Sequence, residues 1–277
     1  MFELLFTLLI SNSYDDDRLN YELSVPTYFS QERPVLQGDA ALVFDLESNT
    51  VVFAEEPLKT ISIASLTKLM TALIILENHD LSEVVKVDHT GYSLPVGGVT
   101  VPQGTEITVS ELLHALLIKS SNDVAYILAH YDAGSIEGFV AKMNERAIDL
   151  GMTGTNFDNP AGFDGSKNFS NANDLLKLSL LVWNFSEVKE IVSKKNYTVK
   201  SVDNRWQKNL VTTNLLLESN YPFVGLKTGT SPDASEAFIG ITNDTEPKLI
   251  IVLGSNNRFQ DTKLLWELFA SNRALKK

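Results

Sequence analysis

The sequence predicts an α+β fold, with one antiparallel sheet built from both chain ends, packed with helices and carrying a helical insertion. Three observations carry that expectation. A hairpin pattern stands near the start, a second stands near the end, and the stretch between them has mostly helical periodicity. At the start, residues 40–46 and 51–54 are apolar, β-prone runs flanking the turn-rich tetrad Glu47-Ser48-Asn49-Thr50. At the end, residues 237–242 and 249–254 flank Asn243-Asp244-Thr245, and residues 263–270 read as a closing helix. Residues 64–76 are apolar on nearly every face, which places that helix inside the protein. Thr108-Val-Ser-Glu111 has the form of a capping box opening a helix through Ile118. Residues 123–130 and 173–185 read as further helices. A cleft is expected at the seam between sheet and helices.

Composition bounds the function classes. The 277 residues fit one large domain or two interleaved subdomains, and 44% apolar residues suffice for a substantial core. A net charge of −12 argues against a nucleic-acid partner, which needs clustered Lys and Arg. With no cysteine, disulfides, thiolate zinc sites and a cysteine nucleophile are excluded. The four histidines, His79, His89, His114 and His130, form no HxxxH or HExxH pair, so a zinc hydrolase has no support. No segment approaches the ~20 apolar residues that span a membrane. Residues 1–35 read as a separate, irregular N-terminal segment. Its apolar run at 4–10 is preceded by Glu3 instead of basic residues, so a remnant export signal and an ordinary apolar segment both stay open.

Three short motifs can carry chemistry. Ser65-Leu-Thr-Lys68 puts a hydroxyl and an amine on one helix face, one turn apart. Serine needs a base to become a nucleophile, and lysine can serve if burial or a neighbouring cation lowers its pKa. The apolar surroundings leave Lys68 little exposed face. Ser120-Ser-Asn122 connects two short helices and offers a hydroxyl and an amide. Lys227-Thr-Gly-Thr230 reads as an edge strand facing a cleft, with Gly229 allowing close backbone approach. Taken singly, each has an ordinary explanation: a helix cap with a snorkelling lysine, a turn, a solvated hairpin strand.

Together, with gaps of about fifty and about a hundred residues, they are far more specific. The set of SxxK, SxN and KTG resembles the penicillin-recognising serine enzymes. It looks most like their low-molecular-mass members, the D-alanyl-D-alanine carboxypeptidases, with a β-lactamase/transpeptidase-like fold. Asn159-Pro-Ala-Gly162, residues 170–174, Arg258-Phe259 and residues 261–265 extend the resemblance over roughly residues 36–270.

The resemblance implies a catalytic domain over 36–277, with a helical subdomain roughly 64–215. It implies that Ser65 is acylated, that Lys68 is the general base, and that Ser120 and Asn122 relay protons and hold substrate. Lys227, Thr228 and Gly229 would bind the carboxylate end, with Lys227 and Lys68 each depressing the other's pKa. The N–H groups of Ser65 and Thr230 would form the oxyanion hole, and Arg258 would meet the substrate carboxylate. No metal or organic cofactor is expected. The implied partners are peptidoglycan stem peptides ending in D-Ala-D-Ala, with β-lactams as covalent inhibitors, at a site outside the cytoplasmic membrane.

Departures are also visible. The C-terminal β-rich stalk and amphipathic helix of many relatives are expected to be absent, so any membrane attachment would come from the N-terminus. Ser121 stands where many relatives have glycine. A class A-like β-lactamase would need an ExxLN-type loop, and Asn159-Pro-Ala-Gly-Phe163 occupies the equivalent region. A D,D-endopeptidase uses the same residues and stays open, as does a silent peptidoglycan-binding homologue, although the intact motifs oppose decay.

Overall fold

The computed structural model describes residues 34–88, 97–164 and 167–270. The N-terminal apolar run, His89, and the terminal Arg273, Lys276 and Lys277 lie outside the described residues. In chain order the elements begin with β1 (Ala40–Asp45), β2 (Thr50–Glu55) and β3 (Ile61–Ser62). A 3-10 turn (Ala64–Thr67) leads into α1 (Lys68–Asn78), followed by β4 (Val84–Lys86), β5 (Glu106–Thr108), α2 (Val109–Ile118) and α3 (Asn122–Ala133). Then come α4 (Ile136–Asp149), β6 (Phe169–Ser170), α5 (Ala172–Trp183), α6 (Ser186–Val192), β7 (Asn196–Lys200) and β8 (Gln207–Val211). The chain returns through β9 (Phe223–Ser231), β10 (Ser235–Thr242), β11 (Lys248–Ser255) and α7 (Arg258–Ala270).

The main sheet has five strands in the order β2-β1-β11-β10-β9. Both expected hairpins are present, and β1 pairs antiparallel with β11, so the two chain ends meet at the centre of the sheet. That central position explains why β1 is buried on both faces. Ala40, Leu42 and Phe44 point into the large core shared with the helices, while Ala41 and Val43 face Leu265 and Phe269 of α7. Alternation along a strand sends successive side chains to opposite faces, and here both faces are covered. The result is three layers: α7, the sheet, and the remaining helices.

Helix α1 runs through the middle of the helical part, with Lys68 to Ile75 all buried. Its first turn is 3-10, so the helix expected over 64–76 becomes regular only at Lys68. The cap at Thr108 forms, its hydroxyl accepting from Glu111 N at 3.3 Å. The Glu111 carboxylate does not close the box; it accepts from Tyr197 Oη and Lys200 N instead. Tertiary contact won over the local motif. The stretch between the terminal hairpins also holds strands that periodicity did not reveal, namely the short ladders β3–β6, β4–β5 and β7–β8. They are too short or too polar to alternate visibly: β8 buries Leu210 alone among its five residues. Among the described residues no helix is long and apolar enough to cross a membrane.

Candidate active site

The three motifs converge where the N-terminal ends of α1 and α3 face the outer edge of β9. Ser65 sits in the 3-10 turn before α1. Ala64 ahead of it has φ of 45°, a left-handed conformation that a non-glycine residue holds only when its surroundings impose it. The surroundings are backbone. Gly162 has φ of 85°, and a Cβ there would lie 1.8 Å from Ala64 O. On the other side a Cβ at Gly229 would lie 3.4 Å from Ser65 N. Strand β9 and the 159–163 loop thus hold the serine turn between them; Gly162 has no room for a side chain, and a Cβ at Gly229 would be tight, 3.0 Å from Ile63 O.

Lys68 is 0% exposed. Its Nζ has three partners: Ser65 Oγ at 2.8 Å, Asn122 Oδ1 at 2.8 Å and Ala161 O at 2.7 Å. Burial pushes its pKa down to about 7, with the Asp123 carboxylate opposing part of that fall. A neutral amine has two N–H bonds and one lone pair. Asn122 Oδ1 and Ala161 O can only accept, so they take the two N–H groups. The lone pair is left to face Ser65 Oγ, the one partner with a proton to give. Burial therefore favours the neutral amine, and in that form the two acceptors set the direction in which the base points.

Lys227, 2% exposed, donates from Nζ to Ser120 Oγ at 2.7 Å and to Thr228 O at 2.8 Å. This bond ties the helical part to the sheet edge. Ser120 also has a left-handed φ, 61°, in the tight connection between α2 and α3. The Lys227 pKa falls well below its usual value, from burial first and then from the charges of Lys68 and Arg258. The expected mutual depression is thus carried at Lys227; at Lys68 burial does the lowering. Arg258 opens α7 and reaches Gly229 O at 2.7 Å and the Thr230 hydroxyl. Thr228 is buried and pairs its hydroxyl with Thr213 Oγ1 at 2.6 Å. Lys68, Lys227 and Arg258 make a basic pocket on a protein of net charge −12, with Thr228 and Thr230 hydroxyls beside it. Such a pocket suits a carboxylate.

All the singled-out residues, Ser65, Lys68, Ser120, Asn122, Lys227, Thr228, Gly229, Thr230 and Arg258, line this one cleft. Sequence reasoning missed the groups that hold them in place. Asp123, 3% exposed, accepts from the backbone N–H groups of Val99, Thr100 and Val101 and from Ser121 Oγ, fixing the 97–101 loop against the start of α3. A Cβ at Gly98 would lie 1.7 Å from Asp123 Oδ1. Ser121, which stands where many relatives have glycine, is part of this lock, since its hydroxyl also accepts from Val99 N at 2.9 Å. Asn159 Oδ1 accepts from the N–H groups of Ala161, Gly162 and Phe163. That turn aims Ala161 O at Lys68. The adjacency of Asp123 to Asn122 was the available signal; Asn159-Pro-Ala-Gly162 stood out only as a stretch extending the resemblance, with no sign that it aims a carbonyl at Lys68. Among the described residues no group of His, Asp and Glu could hold a metal ion.

Known proteins resemble this chain in sequence and fold. A family model described as D-alanyl-D-alanine carboxypeptidase, peptidase S11, matches residues 27–257. D-alanyl-D-alanine carboxypeptidase DacF of Bacillus subtilis (strain 168) is 30% identical over 205 residues, covering 72% of this chain and 52% of that protein. The D-alanyl-D-alanine endopeptidase of Escherichia coli (strain K12) is 36% identical over 149 residues, covering 53% of this chain and 47% of its own length. The chain spans about half the length of these two curated relatives. The crystal structure of the Streptomyces K15 DD-transpeptidase matches with a TM-score of 0.79 at 26% identity, covering 86% of this chain and 98% of that one. The β-lactamase/transpeptidase-like fold expected from the motifs is therefore the one observed. With the signature residues gathered in one cleft and the family model matched over most of its length, this chain belongs to the D-alanyl-D-alanine carboxypeptidase family, peptidase S11.

Proposed function

We propose that this protein is a serine-type D-Ala-D-Ala carboxypeptidase that removes the terminal D-alanine from peptidoglycan stem pentapeptides through an acyl-enzyme on Ser65. The observation that carries the proposal is the fully buried Lys68 Nζ held 2.8 Å from Ser65 Oγ, within reach of its proton. Ser65 attacks the carbonyl of the D-Ala-D-Ala bond while Lys68 takes its proton. The Ser65 and Thr230 N–H groups hold the oxyanion. Lys227, Thr228 and Arg258 bind the terminal carboxylate, Gly229 lets the substrate backbone lie along β9, and Asn122 holds the substrate amide. The proton passes through Lys68 and Ser120 to the departing amine, and D-alanine leaves. Lys68 then takes a proton from water as it attacks the ester, and Ser65 is restored. No metal or organic cofactor enters these steps.

β-Lactams, which present an acyl carbonyl and a carboxylate at similar separation, would acylate Ser65 as well. The substrate places the enzyme on the outer side of the cytoplasmic membrane. The domain division that goes with this function is a catalytic unit over 36–277.

Two assays test the proposal. A mass spectrum after incubation with benzylpenicillin should show one covalent adduct, on Ser65, and Ser65→Ala should show none. Release of D-alanine from a pentapeptide ending in D-Ala-D-Ala should follow. Adduct without D-alanine release, but with cleavage of cross-linked peptides, would favour an endopeptidase. Adduct turnover within seconds would favour a β-lactamase.

A further inference from the structure

We propose that Thr213 is a positioning residue that sets the preference for a free terminal carboxylate, by donating to the Thr228 hydroxyl and so orienting and polarising the Thr228 O–H toward the cleft. The inference rests on the proposed carboxylate pocket and adds a residue that lies outside the three signature motifs. Thr213 stands between β8 and the 3-10 turn Leu215–Glu218. Its backbone is pinned: Thr213 N donates to Ile118 O at 3.2 Å, at the end of the helix that leads to Ser120. Thr212 N donates to Lys195 O at 2.9 Å, and Asn214 N donates to Thr212 Oγ1 at 3.1 Å. The side chain thus meets Thr228 Oγ1 at 2.6 Å from a fixed platform.

Counting protons gives the consequence. Two hydroxyls share one hydrogen bond, so one proton lies between them and the other is available elsewhere. If Thr228 donates to Thr213, Thr228 can only accept from a ligand, and a carboxylate has no proton to offer. If Thr213 donates, the Thr228 proton is available to the cleft. An arriving carboxylate selects the second order, because a hydrogen bond to an anion is roughly twice as strong as a neutral one. The chain Thr213 to Thr228 to carboxylate then runs in one direction, each bond polarising the next. A C-terminal amide can donate as well as accept, so it gains less from this orientation. Thr213 therefore biases the enzyme toward peptides that present a free carboxylate beside the scissile bond.

The test compares wild type, Thr213→Val and Thr213→Ser on a tripeptide ending in D-Ala-D-Ala and on its C-terminal amide. Acylation by benzylpenicillin and by its methyl ester is measured in parallel. Thr213→Val keeps the shape and loses the proton. It should raise KM for the carboxylate peptide about fivefold, the cost of one neutral hydrogen bond, with kcat within twofold. Penicillin acylation should slow by a similar factor, while the amide and the ester change by less than twofold. Thr213→Ser should restore wild-type values. Equal losses on the charged and neutral probes, or a serine variant as impaired as valine, would overturn the proposal. A wild type acylated by penicillin yet inactive on the peptide would refute the carboxypeptidase proposal and leave the penicillin pair to decide the role of Thr213. A wild type that does neither refutes both.

Discussion

The sharpest consequence of the site is the pH dependence of acylation. Lys68 has a pKa of about 7 against an ordinary value of 10.5, because burial removes the water that would stabilise its ammonium. At pH 7 about half of the molecules then carry the neutral amine. With the ordinary value the neutral fraction would be about one in three thousand. Burial therefore raises the competent fraction about a thousandfold at neutral pH. The sign is fixed by the role: a base works when deprotonated, so acylation rises with pH and levels off above the pKa. Stopped-flow measurement with a fluorescent penicillin should give a rate constant that increases tenfold per pH unit below about 6. It should reach half its plateau near pH 7, and at pH 5 fall to about one hundredth of that plateau. Lys68→Gln, which keeps hydrogen-bonding capacity but cannot accept the serine proton under these conditions, should acylate at least ~10²-fold more slowly at every pH. A flat profile, or a midpoint above pH 9 in a folded enzyme, would mean that another group takes the Ser65 proton, and the lone-pair argument would fail.

Three further substitutions have defined outcomes. Asp123→Asn removes the charge that holds the Lys68 pKa up, so the midpoint of the acylation profile should move below 7; an upward move would contradict the electrostatics. The same substitution weakens the acceptor of the 99–101 N–H groups and should cost roughly 1–3 kcal/mol in urea unfolding. Gly162→Ala forces a Cβ into Ala64 O at a φ of 85°; loss of penicillin labelling together with a Tm fall of roughly 5–10 °C is expected, and a fully labelled, equally stable variant would show that the serine turn does not depend on this contact. Lys227→Ala should slow penicillin acylation at least about tenfold by loss of the carboxylate partner and of the Ser120 contact; an unchanged rate would remove Lys227 from the substrate pocket.

The primary structure by itself determined the chemistry. Ser65 and Lys68 three positions apart, Ser120-Ser-Asn122 and the Lys227-Thr-Gly-Thr230 strand were legible because helical and strand periodicity are local and residue type fixes what each group can donate, accept or attack. The terminal hairpins were legible for the same reason, since alternating apolar runs around turn residues are contained in short windows. What the linear order could not contain was the company these residues keep. The carbonyl of Ala161 lies 93 positions from the amine it orients, and Thr213 is held to Thr228 by a fold that closes β8 back onto the cleft. Asp123 locks a loop arriving from earlier in the chain. Glu111 had the spacing of a capping box and was claimed by β7. Hydrogen bonds between distant segments depend on where packing brings the backbone, and packing is a property of the whole core. The serine and its lysine could be named from their spacing; that the lysine loses its proton near pH 7 instead of near 10.5 was decided by burial, and the direction its lone pair then takes by two acceptors brought in from elsewhere in the chain.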